Sequence, residues 1–312
     1  MEGYLKERAH LLPGLIIRAQ SGFFTVETET GDLICTIRGR LKQGKQSGDI
    51  AAIGDRVQVR WLAEGKGVIE AIEPRQRMIS RRAPLPWGEY EQIIIANPDQ
   101  LAVVFACANP QPRLRMLDRF LVIAEKQTIP AVIIANKLDL LGIDEARKIF
   151  APYQEIGYPL IFTSARTGAG LAELRKFLQK KITALTGPSG AGKTSLLNAI
   201  HPGLGLAVRE VSQATRKGRH TTVTSELFPL PGGGYVADTP GLRSLILWDI
   251  EPEELDAYFP EIRPLVSACQ FSDCTHLHEP GCAVRKAVDR GKIHPGRYES
   301  YVRLRMGEET QV

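Results

Sequence analysis

The stretch ITALTGPSGAGKTSLLNAI, residues 182–200, decides the fold. Its centre, GPSGAGKT at 187–194, fits the pattern G-x-x-x-x-G-K-[ST], which predicts a loop whose backbone N–H groups surround phosphate oxygens. The apolar residues before it predict a strand, and the residues after it predict a helix whose N-terminus faces the phosphates. With both flanking elements in place, an ordinary glycine-rich turn is the weaker interpretation.

Two motifs supply the residues expected to act on the phosphates. In the loop, Lys193 would neutralise the β- and γ-phosphates, and the Thr194 hydroxyl would ligate Mg²⁺. Asp238-Thr239-Pro240-Gly241 ends the apolar run GYVAD, so Asp238 could reach the Mg²⁺ shell through a water and the Gly241 N–H could meet a γ-phosphate. Asp-x-Pro-Gly alone is also a common turn, but its position downstream of a phosphate loop favours a functional role.

A guanine-reading motif lies upstream of the phosphate loop. Asn136-Lys137-Leu138-Asp139 ends the strand-like run AVIIA, and a carboxylate there can accept the N1–H and N2–H₂ of guanine, donors that adenine does not offer. Thr163-Ser164-Ala165 ends the next such run and would add a backbone N–H contact to the base. A lone NKLD is more often a loop or a helix cap, so the motif depends on its companions.

A basic segment, RKGRHTTVT at 216–224, lies between the phosphate loop and Asp238, where a switch should close over the γ-phosphate. Thr221 and Thr222 are both candidates for the second hydroxyl ligand of Mg²⁺, and the charged residues are equally compatible with a solvated loop. The predicted nucleotide site therefore comprises Asn136, Lys137, Asp139, Ser164, Ala165, Gly187, Pro188, Ser189, Gly190, Ala191, Gly192, Lys193, Thr194, Ser195, Thr221 and Thr222.

The order of these motifs is unusual. The guanine reader and the Ser-Ala pair come before the phosphate loop, the switch and Asp-x-Pro-Gly, whereas ordinary GTPases begin with the phosphate loop. Cutting such a domain between its halves and joining the old termini gives this order, and sheet contacts survive where termini lie close together. The sequence therefore predicts a circular permutation.

Three of the five cysteines crowd one C-terminal window with a histidine. Cys269, Cys274, His276 and Cys282 supply three thiolates and one imidazole, a complete ligand set for a tetrahedral structural zinc site. His278 is a rival nitrogen ligand by spacing, and buried free cysteines are the alternative to a metal. The other two cysteines lie in apolar runs and are expected to be inert core residues.

The chain divides into segments of different pattern. Short alternating runs over 1–75 predict an OB-fold β-barrel that could contact nucleic acid or serve as a docking or spacing module. Residues 76–82 read as a basic linker, and 83–250 alternate apolar runs with amphipathic helices, which predicts an α/β domain with a parallel sheet. Residues 251–312 are expected to form a mainly helical zinc-binding domain.

Composition narrows the class of protein. The chain has 312 residues, 43% hydrophobic and 24% charged, and a net charge of +5, with no signal-like or membrane-spanning segment. We expect a cytoplasmic protein without a membrane partner. Arginines and lysines of the linker and tail are candidates to neutralise RNA phosphates: Arg75, Arg77, Arg81, Arg82, Arg285, Lys286, Arg297, Arg303 and Arg305.

Together, the barrel, the permuted motifs GPSGAGKT, RHTT, DTPG and NKLD, and the segment CQFSDCTHLHEPGC resemble the RsgA (YjeQ) family of GTPases over nearly the whole chain. The resemblance implies GTP hydrolysis in late maturation of the 30S ribosomal subunit, stimulated by that subunit and coupled to release. It further implies GTP, GDP, the 30S subunit and its 16S rRNA as partners, Mg²⁺ with GTP and one structural Zn²⁺ per chain at the His276 ligand set. We expect a monomer.

Hydrolysis needs an oriented water, and the position after Asp-x-x-Gly that often carries Gln is Leu242 here. We therefore expect slow intrinsic turnover and hypothesise that His220 completes the site when the ribosome orders the loop. An equally simple role for His220 is RNA contact.

Two other functions compete with GTP hydrolysis. One is an RNA-binding module that responds to nucleotide with little hydrolysis, which intact Lys193, Thr194 and Asp238 disfavour. The other is a P-loop ATPase or kinase, which Asp139 disfavours because ATP lacks the matching donors.

Overall fold

A computed structural model describes residues 11–43, 48–85, 88–205, 225–238 and 250–308, without the side chains of 82–85, 88, 89, 225 and 238. The chain separates into two units. The first contains Met1–Asp99, Leu178–Ala184 and Gln213–Ser244, and the second contains Gln100–Phe177, Leu185–Ser212 and Leu245–Val312. Each unit therefore draws on distant parts of the chain.

Unit 1 is built around a five-stranded barrel. Its strands are β1 Leu11–Gln20, β2 Phe23–Thr28, β3 Gly31–Ile37, β4 Arg56–Ala63 and β5 Lys66–Ile72. They pair in the order β1-β2-β3-β5-β4, and β4 also pairs with β1, which closes the barrel with OB-like topology. Apolar residues at every second position fill its interior, including Ile16, Val26, Val57, Val59 and Ile69, each with no exposed surface.

An antiparallel hairpin follows the barrel in the same unit. Its strands, β6 Met78–Leu85 and β7 Gly88–Ala96, are joined across the ladder by Ser80 Oγ donating to Glu91 Oε1 at 2.7 Å and by Arg81 Nε donating to Gln92 Oε1 at 2.8 Å. Most of the stretch expected to be a linker is therefore strand. The pattern of β6 did not predict a strand because its arginines count as polar residues. An arginine can nevertheless cover a sheet face with its apolar stem while its charge stays in water.

The apolar run that forms β7 pairs with a different strand from the one that its sequence predicts. The run EQIIIAN, residues 91–97, lies within 83–250, and its apolar centre predicts a strand of the α/β sheet. The structure pairs these residues with β6 instead, and Ala96 N donates to Ile53 O at 2.8 Å, so the run packs on the barrel. Apolar content shows burial on both faces, but it does not identify the partner strand.

Unit 1 also receives strands from late in the chain. β12 Ser225–Pro229 pairs antiparallel with β1 and with β13 Tyr235–Asp238. β11, Ile182–Thr186, contributes residues to both units. The antiparallel pairing of β12 means that the GTPase strands are not all parallel.

Unit 2 contains a parallel sheet. Its strands are β8 Gln100–Ala106, β9 Ala131–Asn136 and β10 Leu160–Phe162, paired in the order β10-β9-β8. The helices of this part are α1 Leu114–Lys126, α2 Ile143–Glu155, α3 Leu171–Leu178 and α4 Lys193–Ile200. All seven residues of β8 are buried, which is the pattern of a strand covered on both faces.

The C-terminal segment is mainly helical, as expected. It contains 3₁₀ turns at Pro252–Tyr258 and Arg263–Ala268, then α5 Ala283–Asp289 and α6 Pro295–Arg305. Its core packs Leu255, Phe259, Ile262 and Tyr301 against Val122 of α1, so it shares a core with unit 2. The predicted class, an OB-like barrel, a permuted P-loop GTPase and a helical Cys/His region, is confirmed, while the exact domain limits stay predictions.

A buried ion network joins α1 to α6. Arg297, 2% exposed, donates to Asp118 Oδ1 at 2.6 Å and to Glu261 Oε1 at 2.7 Å. Asp118 also accepts hydrogen bonds from the hydroxyls of Tyr153 and Ser300. Each buried ion in this network has an oppositely charged hydrogen-bond partner, which is the condition under which buried ions are tolerated.

In the described ranges, no helix is long and apolar enough to cross a membrane.

Replacing Arg297 should destabilise the protein strongly. Arg297→Met leaves Asp118 and Glu261 buried without their cation, so the free energy of unfolding should fall by about 3–5 kcal/mol. Arg303→Met is the matched control, since Arg303 lies on the same helix with its side chain 38% exposed and should cost less than about 1 kcal/mol. Urea titration measures both, and equal unfolding midpoints for the two variants would show that the network contributes nothing.

Candidate functional site

The phosphate loop runs from the end of β11 to the start of α4. Gly187 has φ +137°, and a Cβ at this residue would lie 2.1 Å from the Val104 carbonyl oxygen of β8. Only glycine fits there, because any side chain would collide with backbone that cannot move away. The first glycine of the motif thus places the loop directly against the sheet.

Lys193 holds its charge inside this loop. Its side chain is 4% exposed, and Nζ donates to the carbonyl oxygens of Gly187 at 2.6 Å and Pro188 at 2.9 Å. The first turn of α4 contains no acidic residue that would compete for the helix N-terminus. An anion entering the loop would therefore meet a buried ammonium and the positive end of a helix.

Asn136 connects the guanine-reading segment to the phosphate loop. It ends β9, is 1% exposed, and its Nδ2 donates to the Ala191 carbonyl oxygen at 2.9 Å. Its Oδ1 accepts from Thr163 Oγ1 at 3.2 Å. Gly192 must lack a side chain here, since a Cβ would lie 2.5 Å from Asn136 Nδ2. One amide thus fixes the spacing of three loops that the sequence separates widely.

Asp139 is held as an ionised acceptor. Ser164 Oγ donates to its Oδ1 at 2.5 Å, and Arg166 Nε lies 2.9 Å from its Oδ2. The Ser164 hydrogen bond, with smaller help from Arg166, holds the pKa of the carboxyl below its ordinary value. A carboxylate positioned in this way can accept two N–H groups from one edge of a base.

These segments line one cavity of about 380 Å³. Its walls come from three segments: the NKLD motif with the residue after it, Ala165 with the residue after it, and the end of the phosphate loop with the start of α4. The lining residues are Asn136, Lys137, Asp139, Leu140, Ala165, Arg166, Gly192 and Ser195. Leu140 and Arg166 did not emerge from the sequence. Both adjoin recognised motifs, but neither residue type has a pattern that distinguishes it from a surface neighbour.

Several predicted residues fall outside the described part of the chain. His220, Thr221, Thr222, Gly241 and Leu242 lie in the ranges 206–224 and 239–249, so their roles stay predictions. Asp238 ends β13 as the pattern predicts, but its side chain is not among those described.

A second cluster brings four potential metal ligands together. The ligand atoms of Cys269, Cys274, His276 and Cys282 all lie within 4.8 Å of one another, and His278 is not among them. His276 Nδ1 is 3.5 Å from the sulfurs of both Cys269 and Cys282, and those sulfurs are 4.0 Å apart. Tetrahedral zinc with its usual bond lengths gives about 3.5 Å for N–S and 3.8 Å for S–S separations. The donor set therefore fits zinc in both chemistry and size.

The other two cysteines, Cys35 and Cys107, do not belong to this cluster. Burial raises the pKa of the Cys35 and Cys107 thiols to about 11, and both side chains lie in strand cores or at a strand end. They remain protonated at neutral pH, which fits their expected role as core residues.

Two arginines expected to face RNA phosphates are occupied within the protein. Arg75 donates two hydrogen bonds to the fully buried Asp55 at 2.8 and 2.7 Å, and Arg297 belongs to the buried network. The expectation was wrong for Arg297, because charge alone does not reveal which basic residues have internal acidic partners. Arg285 and Lys286 lie in α5, the helix that follows Cys282, and both residues are exposed.

Comparison with known families gives two matches. The family model described as RsgA GTPase matches residues 72–248, and the model described as RsgA N-terminal domain matches residues 13–69. A protein of Gemmatimonas aurantiaca called small ribosomal subunit biogenesis GTPase RsgA is 49% identical over 296 residues, which cover 94% of this chain and 96% of the relative. A protein of the same name from Moorella thermoacetica is 42% identical over 291 residues, 93% of this chain and 95% of the relative.

Solved structures resemble the chain as a whole. YjeQ from Thermotoga maritima has a TM-score of 0.77 and 39% identity, covering 95% of this chain and 98% of its own. YloQ, described as a circularly permuted GTPase, has a TM-score of 0.74 and 33% identity, covering 99% of this chain and 100% of its own. The permutation inferred from motif order thus has a solved counterpart.

Removing the Ser164 hydroxyl should make GDP binding sensitive to acid. Ser164→Ala deletes the main cause of the lowered pKa of Asp139, so that pKa should rise towards its ordinary value. Affinity depends on the ionised carboxylate, so it is retained above the pKa and lost as pH falls through it. The loss should therefore begin at higher pH in the variant than in the wild type.

The measurement is GDP affinity as a function of pH. Thr167→Ala is the control, because its hydroxyl accepts from Ala169 N in the same loop and does not touch Asp139. Identical pH profiles for Ser164→Ala and the wild type would contradict the assignment.

Proposed function

The chain belongs to the RsgA GTPase family, whose members hydrolyse GTP, and from that premise we propose that it acts in assembly of the small ribosomal subunit. The observation that carries the nucleotide part is the 380 Å³ cavity, which joins a guanine-reading carboxylate to a phosphate loop. The relatives named small ribosomal subunit biogenesis GTPase support the ribosomal part, because they match nearly the full length of both chains.

Guanine selection is assigned to Asp139 and its neighbours. The carboxylate accepts N1–H and N2–H₂ of guanine, Ser164 holds that carboxylate in place, and the backbone around Ala165 contacts the base edge. Two charge-assisted hydrogen bonds are worth several kcal/mol, and adenine forms neither. GTP and GDP should therefore bind, and ATP should not compete.

Phosphate binding is assigned to the loop from Gly187 to Ser195. Lys193 donates to two carbonyl oxygens of the loop, and phosphate oxygens would replace these acceptors with stronger, charged ones. Mg²⁺ would be held by Thr194, by Thr221 or Thr222, and by Asp238 through a water, and it would neutralise developing phosphate charge. Gly241 would donate its N–H to the γ-phosphate.

Hydrolysis is expected to be slow in the free protein. Leu242 occupies the position where a glutamine often orients the attacking water, and an apolar side chain cannot do so. We assign that task to His220, brought into place when the subunit orders the switch. Because this residue lies outside the described ranges, variant kinetics are the route to test it.

RNA contact is assigned to the barrel and the basic surface, with the 30S subunit and its 16S rRNA as the partner. Barrels of this topology often bind oligonucleotides, and exposed Trp61 and Phe23 could stack on bases. Arg75 and Arg297 are excluded from this surface because they are satisfied internally. A ribosomal role places the protein in the cytoplasm, and we propose that it acts as a monomer.

One structural Zn²⁺ is assigned to the ligand set of Cys269, Cys274, His276 and Cys282. Four protein ligands leave no open position for a substrate, so the metal would stabilise the fold and take no part in hydrolysis. Its site belongs to the core that packs on α1, so its loss should loosen that packing.

GTP turnover with ribosomal subunits tests the proposed function. We expect slow hydrolysis alone and strong stimulation by 30S but not by 50S subunits, with no activity on ATP. Lys193→Ala should abolish both rates, since the buried ammonium has no substitute, and His220→Ala should lose stimulation while retaining GDP affinity. Stimulation that survives in His220→Ala would remove the histidine from the mechanism, and no stimulation by 30S would remove the ribosomal role.

Metal content tests the cluster independently of activity. Purified protein should contain one zinc per chain by atomic emission, and Cys282→Ser should lose most of it and unfold at lower temperature. Cys107→Ala is the control, because it removes a buried thiol outside the cluster and should retain the metal. Full zinc content in Cys282→Ser would exclude the assigned ligand set.

A further inference from the structure

A second and larger cavity lies in unit 2, and nothing in GTP hydrolysis uses it. Its volume is about 450 Å³, and it is bounded by the start of α1, the end of α2 and the start of α6. No residue lines both this cavity and the guanine cavity. Its size is that of a pocket for a small organic ligand.

The floor of this cavity is fixed and polar. Asp118 accepts from Arg297 at 2.6 Å and from Tyr153 at 2.7 Å, and it also accepts from the Ser300 hydroxyl. All four residues are at most 2% exposed, and Arg297 is further held against the Phe259 ring, 4.7 Å from its centroid. A ligand would find these groups already ordered, so it would not have to organise them.

The mouth of the cavity is cationic. Outside the floor, three arginines line the cavity against one carboxylate, Glu299: Arg113, Arg115 and Arg119. Arg115 pairs with Glu299 at 2.7 Å, but both side chains are about half exposed, so a stronger anion could replace the carboxylate. Neither α1 nor α6 has an acidic residue in its first turn, so both helices leave the positive potential at the mouth unopposed.

Apolar side chains form the remaining wall. Leu114, Met116 and Pro152 line the cavity between the arginines and the polar floor. An inorganic phosphate would satisfy the arginines but leave this wall and most of the volume unfilled. A neutral apolar molecule would leave the cationic mouth without a counter-charge. The cavity suits a ligand with an anionic end and a flat, mainly apolar body with polar edges.

We propose that this cavity binds a nucleoside monophosphate unit, either a free mononucleotide or one unpaired nucleotide of an RNA chain. Arg113 and Arg115 contact the phosphate, where a guanidinium can donate two parallel hydrogen bonds. The base lies against Leu114, Met116 and Pro152, and its polar edge faces the Ser300 and Tyr153 hydroxyls. The site is accessory to the GTP site and independent of it.

Calorimetric titration of the full-length protein tests the binding. The GTP site is first saturated with GDP and Mg²⁺, so that added nucleotide can enter only a second site. AMP and UMP should then bind with one site per chain, while adenosine and inorganic phosphate, each carrying half of the recognised chemistry, should bind at least about tenfold more weakly.

The matched variants locate that binding. Arg113→Ala with Arg115→Ala should weaken AMP binding at least about tenfold, because both phosphate donors are lost. Arg147→Ala removes an exposed arginine of α2 that does not line the cavity and should leave it unchanged. Absence of AMP and UMP binding, or equal weakening in both variants, would overturn the proposal.

Crosslinking separates the two sources of the nucleotide. A short single-stranded RNA containing 4-thiouridine is irradiated with GDP-loaded protein, and crosslinked peptides are identified by mass spectrometry. Crosslinks within 113–119 or 294–300 that AMP suppresses and the double variant loses would identify an RNA nucleotide as the occupant. Titratable AMP binding without such crosslinks would identify a free mononucleotide as the occupant.

The result does not depend on the ribosomal role. Subunit-stimulated GTP hydrolysis in the double variant is measured beside the wild type, so loss of the accessory site and loss of the proposed GTPase function are distinguished.

Discussion

The amide of Asn136 is the contact on which the cavity between the NKLD segment and the phosphate loop depends. Through Ala191 and Thr163 it joins the end of β9 to the phosphate loop and to the end of β10. It is 1% exposed, so its hydrogen bonds have no competition from water and would be costly to leave unmade. A permuted chain can therefore build the same cavity, because the constraint acts between strand ends and not along the sequence.

The C-terminal segment packs into the core of the unit that contains this cavity. Its apolar core includes Val122 of α1. The ion network also joins Arg297 of α6 to Asp118 of α1. The cluster of Cys269, Cys274, His276 and Cys282 adjoins that core, so disruption of the cluster would act on the packing against α1. Asp118 and Arg297 of this ion network also line the second cavity. The same buried charges thus serve stability and define a polar floor.

Much of the fold and site could be predicted from the sequence because several patterns depended on one another. The phosphate loop was flanked by a strand and a helix, and Asp139 followed a strand, as guanine recognition requires. The hairpin β6–β7 was missed because an apolar run shows burial without showing its partner strand. Arg297 was misassigned because its acidic partners are 36 and 179 residues away. Arg166 carried no signal at all, since its role depends only on its distance from Asp139.

The most direct test of the account is the GDP affinity of Asn136→Asp. The substitution preserves size but turns the donor that faces the Ala191 carbonyl oxygen into an acceptor, so the phosphate loop and the guanine segment should lose their connection. We predict at least about tenfold weaker GDP binding by calorimetry, equal to about 1.4 kcal/mol, in a protein that remains folded. Affinity within about twofold of the wild type would contradict the claim that this amide assembles the site.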